Sequence, residues 1–260
     1  MRTFENTTVT ENIRLNDNYC LLTLNSPKTA GSVAPGQFIN LYFRDVPRLF
    51  PRPFSIAGTD GDNIKIIYKI VGPSTRAIAD WVAGQEVKIC GPLGNCFQID
   101  DREDIEHVLI AGGAGIAPLL FLRDKMATLH IKPYLLFGMR TKSDHFLTHD
   151  GNSHLHLSTD DGSLGFSGNI VDMLKSILPS FSKPVTLYSC GPDKMNRAVA
   201  ILSRGKGIAL QISFERIMAC GLGLCQGCAL KLRSSGDEDK FALICKDGPV
   251  FRAEEIKFED

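Results

Sequence analysis

The first hundred positions alternate short apolar runs with Gly, Pro, Asn and Asp: "NYCLLTLN", "GQFINLYF", "PFSIAG", "NIKIIYKIVG" and "EVKICGP" follow one another closely. Runs of this length with frequent turn residues predict short strands and a small antiparallel β-barrel or sandwich, interrupted by one helical segment, "STRAIADWV". Near Glu106 the pattern changes. "HVLIAGGAGIAPLLFLRDKMATL" reads as an apolar strand, a glycine-rich turn and a helix. "PYLLFGMR", "SHLHLST" and "PVTLYSC" read as further strands, with "NIVDMLKSIL" and "DKMNRAVAILSR" as helices among them. Strands alternating with helices predict a doubly wound, parallel-sheet α/β domain. The chain after about Lys206 is too short for an ordinary hydrophobic core, so it needs a neighbour to pack on or a cofactor. The expected division is a β-barrel at 1–101, an α/β domain at 102–207 and a small C-terminal domain at 208–260.

Charge and composition narrow the partners. Lys plus Arg and Asp plus Glu number 29 each in 260 residues, so no basic footprint points to nucleic acid or an anionic membrane surface. The longest nearly apolar run, Val108 to Leu122, carries three glycines and a proline and falls short of the ~18 residues of a membrane span. The N-terminal stretch has neither a basic leader with an apolar core nor an Arg-rich amphipathic run, and the chain is expected to be cytoplasmic. Eight cysteines in a compartment that keeps thiols reduced favour metal or redox chemistry over a disulfide framework.

Cys220, Cys225 and Cys228 are separated by four and then two residues in "MACGLGLCQGCAL", and Cys245 follows after sixteen more. This is the plant-type ligand spacing of a [2Fe-2S] cluster. Gly221, Gly223 and Gly227 suit such a loop, because backbone N–H groups must point at sulfur and the chain must pass close to the cluster. Four cysteines also suit Zn²⁺, although structural zinc usually takes paired cysteine hooks. The cysteines at 20, 90, 96 and 190 are scattered and read most simply as small buried hydrophobes, with Cys190 a possible exception.

Gly112, Gly113 and Gly115 in "VLIAGGAGIAP" lie between a strand and a helix, where a turn free of bulky side chains lets the helix N-terminus meet a pyrophosphate. A tight turn with no ligand has the same sequence. "YSCGPDKM" ends a second strand at Cys190 and Gly191, so both turns can face one crevice at the carboxyl edge of the sheet. Asp160 and Asp161 follow a third strand. Their carboxylates suit ribose hydroxyls and repel a 2′-phosphate, which favours NAD, and a solvated acidic turn is the plainer reading. Arg52, Pro53, Phe54 and Ser55 form "RPFS" in the barrel region. Arg52 and Ser55 suit a phosphate or a flavin edge, and Ser74 and Thr75 at a helix start suit a pyrophosphate. An edge strand with a surface arginine is the alternative.

Taken in order, "RPFS", "AGGAGIAP" and "CGPDKM" resemble the ferredoxin-NADP reductase superfamily. With "ERIMACGLGLCQGC" added, the whole chain resembles the family of dihydroorotate dehydrogenase B electron transfer subunits. The resemblance implies FAD contacts at Arg52, Pro53, Phe54, Ser55, Ile67, Tyr68, Lys69, Ser74 and Thr75, and a [2Fe-2S] cluster on Cys220, Cys225, Cys228 and Cys245. Lys69 and Ser74 stand where family members often carry Arg and Gly; Lys keeps a point charge and loses a bidentate phosphate contact. The implied partner is an FMN-containing dihydroorotate dehydrogenase subunit, two of each in a heterotetramer, with electrons passing singly through the cluster to FAD and on to NAD. Dihydroorotate chemistry then belongs to the partner, and no catalytic acid or base is expected in this chain. Glu215, beside the cluster loop, reads as a structural hydrogen-bond acceptor. A flavin and iron-sulfur reductase subunit serving sulfite reductase, hydrogenase or a ferredoxin shares these features, and a redox-inactive zinc-binding module is the alternative of a different class.

Overall fold

The structure is a computed structural model and describes residues 3–43, 50–148, 154–234 and 238–258. Seven antiparallel strands form the first sheet: β1 (Thr3–Arg14), β2 (Tyr19–Asn25), β3 (Phe38–Tyr42), β4 (Arg52–Ser55), β5 (Gly58–Asp60), β6 (Asn63–Lys69) and β7 (Glu86–Leu93), in the order β4-β3-β7-β1-β2-β6-β5. Although β4 lies at one edge and β6 next to the other, the two approach each other, so the sheet curls into a half-barrel. Its strands alternate as the sequence predicts. Ile64, Ile66 and Tyr68 of β6 point into the barrel core, while Ile67 and Lys69 face outward. Each fully buried Leu or Ile of that core contributes roughly 1.5–3 kcal/mol. Two short helices, α1 (Pro27–Ala30) and α2 (Pro73–Ala79), pack against the barrel core through Ala30 and Ile78. The buried Glu5 accepts hydrogen bonds from the Ser26 and Thr29 hydroxyls and from the Lys28 and Thr29 N–H groups at α1, which satisfies the acid and makes it structural.

The second sheet is built from β8 (Glu106–Gly112), β9 (Tyr134–Met139), β10 (Leu155–Thr159), β11 (Phe166–Ser167), β12 (Val185–Cys190) and β13 (Ala209–Ser213), all parallel. The helices α3 (Ile116–Thr128), α4 (Ile170–Ile177) and α5 (Asp193–Lys206) lie between them in the chain. The order of these six is β11-β10-β9-β8-β12-β13. From β8 the chain first moves out through β9 and β10, then returns to β12 on β8's other side. The gap between the carboxyl ends of β8 and β12 is therefore the topological switch point, where doubly wound sheets bind ligands. The first two turns of α3 are buried almost completely because the helix is sandwiched between this sheet and the barrel, where Phe121 enters the barrel core.

The C-terminal segment does not stand apart. Val250–Arg252 forms β16 and pairs antiparallel with β13, closing the parallel sheet at that edge. The boundary expected at 207/208 thus falls just before a strand that pairs with β12 along its whole length. We therefore place the small unit at the cluster loop and the hairpin of β14 (Ala229–Leu232) and β15 (Lys240–Leu243). Side-chain amides fix it to the barrel: Asn95 donates to the carbonyls of Asp247 and Val250 and accepts from the Val250 N–H.

Candidate functional site

Two cavities open side by side between the barrel and the α/β sheet. The first is a cleft of about 680 Å³ over the switch point, lined by Gly112, Gly113 and Ala114 of the first turn, Pro192 and Met195 of the second, and Asp160 after β10. Gly113 sits at φ +58°, and a Cβ there would meet only the Tyr19 hydroxyl at 3.5 Å, so the turn stays open toward the cleft. Gly115 has the opposite task. It lies under the turn with its α-carbon against the Cys190 carbonyl, which holds the ends of β8 and β12 together. Gly191 packs on Gly112 in the same way, and its carbonyl accepts from the Asn196 side chain.

Of the two acidic residues expected at this site, the structure brings only Asp160 to the cleft. The Asp161 carboxylate accepts from the hydroxyl and N–H of Ser163, which hold it below the usual carboxylate range. Cys190 is fully buried in the core beneath the turn and lines neither cavity. Burial, and next the charge of Glu215, push its thiol up. The cleft also takes in Asn169 and Asp172 at the start of α4. The signal for these was in the sequence, since Asn169 caps the helix by accepting from the Val171 and Asp172 N–H groups.

The second cavity, of about 420 Å³, runs along the edge strand β4. Pro53, Phe54 and Ser55 line one side, Ile67, Tyr68 and Lys69 of β6 another, and Thr75 closes an end. β4 is half-buried along its whole length, and Phe54 meets Tyr68 edge to face at 6.1 Å, so the strand presents an apolar wall able to cover one face of a planar ring. Thr75 is committed to its own turn, accepting from the Val71 and Gly72 N–H groups and donating to the Gly72 carbonyl. Ser74 is buried and does not line the cavity. The Arg52 guanidinium donates to the Phe50 and Pro51 carbonyls. Phe38, Phe214 and Met218 also line it. Sequence patterning offered no signal for these three, because they reach the cavity from distant parts of the chain.

Lys69, Ala114 and Glu215 line both cavities and so stand where the two meet. Glu215 is exposed to solvent, yet neighbouring atoms crowd its carboxyl. Burial first, and the charge of Asp193 next, raise its carboxyl above the ordinary value. A carboxyl raised in the folded state costs stability as pH climbs past its unfolded value, because the folded form holds its proton longer. Glu215→Gln removes that cost. In the cofactor-free protein the variant should match the parent at about pH 4 and melt higher than it at about pH 8, as read by thermal denaturation at both pH values. Equal melting temperatures at the higher pH would place Glu215 in a solvated, unperturbed setting.

The cysteines gather beyond the second cavity. The β14/β15 hairpin pairs Ala229 with Leu243, so Cys228 just before it and Cys245 just after it meet with their sulfurs 3.2 Å apart. Cys220 and Cys225 make a second pair: the N–H groups of Leu222 and Cys225 both donate to the Cys220 sulfur at 3.4 Å. Burial opposes ionisation of Cys220, but these N–H groups, the Cys225 thiol and the Leu224 N–H outweigh it and bring the thiol down to about 6. Burial and the shared hydrogen bond with Cys228 push Cys245 up. Gly221 and Gly223 take left-handed φ of +63° and +86°, as expected for this loop. Gly227 does not; Gln226 carries the left-handed turn at φ +57° instead. Among the described residues no three acidic, histidine or cysteine side chains converge on one point. Two sulfur pairs, with backbone N–H groups aimed at sulfur, fit two irons bridged by sulfide better than one tetrahedral ion.

Comparison with known proteins agrees with this geometry. Residues 215–257 match the family model described as the iron-sulfur cluster binding domain of dihydroorotate dehydrogenase B. Among solved structures, that of an NADH-dependent reduced ferredoxin-NADP oxidoreductase superposes with a TM-score of 0.84 at 24% identity, covering 96% of this chain and 89% of the other. A ferredoxin NADP⁺ reductase from Neisseria gonorrhoeae with bound FAD and NADP gives 0.67 at 16% identity, over 81% and 99%. Both share the fold. The dihydroorotate dehydrogenase B (NAD(+)) electron transfer subunit of Clostridium acetobutylicum is 32% identical over 253 residues, 97% of this chain and 96% of the relative. That of Caldanaerobacter subterraneus subsp. tengcongensis is 33% identical over 227 residues, covering 86% and 87%. The chain belongs to the family of dihydroorotate dehydrogenase B (NAD(+)) electron transfer subunits.

Proposed function

We propose that this chain carries electrons between an FMN-containing dihydroorotate dehydrogenase subunit and NAD in pyrimidine synthesis. The observation that supports this most directly is the row of three sites: the cleft over the switch point, the β4 cavity sharing Lys69, Ala114 and Glu215 with it, and the cysteine loop reached through Met218. Nicotinamide moves two electrons as hydride, a [2Fe-2S] cluster moves one, and flavin exchanges with both, so the flavin belongs in the middle. In this reading Gly112 and Gly113 offer backbone to the NAD pyrophosphate, and Asp160 accepts from a ribose hydroxyl. Pro53, Phe54 and Ser55 cover one face of the flavin, with Ile67 and Tyr68 beside them, while Lys69 and Glu215 border the point where the two rings meet. Cys220, Cys225, Cys228 and Cys245 hold the cluster.

The cluster face also suits an outlet. Cys225 is exposed, with Ile217 at 94% and Leu224 at 80% exposure on the same loop. Large apolar side chains held out in solvent beside a redox centre fit a partner's surface. We take the partner to be the dihydroorotate-oxidising subunit, in an assembly of two and two in the cytoplasm.

The test is an anaerobic preparation analysed for iron, sulfide and flavin, with visible spectra before and after NADH. Two irons and one FAD per chain, with both sets of bands bleached by NADH, are expected. A colourless, zinc-bearing protein that stays so after reconstitution would overturn the reading.

A further inference from the structure

Strand β3 sorts its side chains by face. Ile39 and Leu41 are wholly buried in the barrel core, while Phe38, Asn40 and Tyr42 point the other way. Phe38 walls the β4 cavity. Asn40, one step further on that face, is 1% exposed and pairs in register with Pro53 of β4. Its Nδ2 donates to the Cys220 carbonyl at 3.1 Å, while Oδ1 is buried with no hydrogen-bond partner. Asparagine is depleted from strands, and a buried amide oxygen left unbonded is costly. A residue that breaks both rules, at the point where the β3–β7 register shifts between Phe38 and Asn40, points to function.

The loop is shaped to receive it. Gly221 takes φ +63°, and a Cβ there would lie 2.4 Å from Asn40 Nδ2. Only a glycine lets the amide pass beneath the turn to reach the carbonyl of the first cysteine. Two residues of a strand span ~7 Å, so the wall of the β4 cavity and the anchor of Cys220 lie on one rigid element at that spacing.

We propose that Asn40 is a positioning residue for electron transfer, its amide clamping the Cys220–Gly221 turn to the strand that walls the flavin cavity and so fixing the separation and orientation of the two redox sites. The inference rests on the reading that these cysteines hold a [2Fe-2S] cluster and that FAD lies against β4.

The test compares the parent holoprotein with Asn40→Leu, which keeps the volume and removes the donor, and with Asn40→Ser, which removes the amide without adding bulk and guards against misfolding. Flavin content and the rate of flavin bleaching by NADH report on the barrel. The EPR signal of the reduced protein and the rate at which the iron-sulfur bands bleach report on the loop. Both variants should keep their flavin and bleach it within about twofold of the parent, while the EPR g-values shift and iron-sulfur bleaching slows by about tenfold, a 1.4 kcal/mol change. Unchanged g-values and unchanged iron-sulfur bleaching in a folded variant, even one with a lower melting temperature, would overturn the inference and leave Asn40 as packing. A parent protein without an iron-sulfur EPR signal would instead overturn the cofactor reading.

Discussion

Cys228→Ser is expected to release the iron and sulfide from this protein while leaving its flavin in place. Cys228 is buried, lies against Cys245, and accepts from the Cys245 N–H, so in the proposed cluster the inner pair is built on it. Serine is a poor iron ligand, and its hydroxyl would be left among Leu230, Ala242 and Ile244 in the same core. Without metal the loop from Cys220 to Cys228, which has no regular structure of its own, loses what organises it. The variant should show NADH bleaching of flavin bands only, no iron-sulfur EPR signal, and a lower melting temperature. Cys225→Ser should be milder, because its side chain is exposed and a water can replace it at the loop's outer edge. Cys96→Ser, at a half-buried thiol far from the loop in sequence, should change neither iron nor spectrum. Full iron content in Cys228→Ser would mean that the four-cysteine assignment is wrong.

Local patterning made much of this molecule legible. Alternation in β6 and the strand-turn-helix of residues 106–128 each follow from side-chain period and glycine placement, and both formed as expected. The cysteine spacing pointed to a cluster-binding loop, and the family model for an iron-sulfur binding domain matches residues 215–257, because coordination chemistry constrains sequence locally. What the pattern left out are contacts made through space. Nothing near Val250 announces that three residues there will pair antiparallel with β13, which is what ties the C-terminal unit into the sheet. Nothing around Glu215 distinguishes an acid beside a loop from one set where two cavities meet. Cys190 shows the converse. Its place at a strand end suggested a cavity face, but the close packing of Gly115 on its carbonyl seals it into the core.

That packing carries the second large effect. Gly115 lies at φ −62°, an ordinary helical conformation, so alanine there pays no backbone strain, but as the N-cap of α3 it gains no helix propensity either. Against this, a Cβ would sit 2.3 Å from the Cys190 carbonyl oxygen and 2.7 Å from the Gly191 nitrogen. These are backbone atoms of a strand paired on both sides and cannot swing away. Relieving the clash means parting the carboxyl ends of β8 and β12, at an overpacking cost of about 1–3 kcal/mol. The ends of those strands are also the floor of the first cleft. Gly115→Ala should therefore melt lower than the parent and bind NADH about tenfold more weakly by equilibrium titration, 1.4 kcal/mol, while iron and flavin contents stay the same. Gly112→Ala provides the comparison. Its Cβ would meet the flexible Met195 side chain at 2.6 Å and the Pro192 ring at 3.0 Å, with no backbone atom as close as the Cys190 carbonyl is to Gly115, so the same added methyl should cost less. If Gly115→Ala bound NADH as tightly as the parent, the cleft would not depend on how closely the two strand ends approach, and the NAD site would have to be sought away from the switch point.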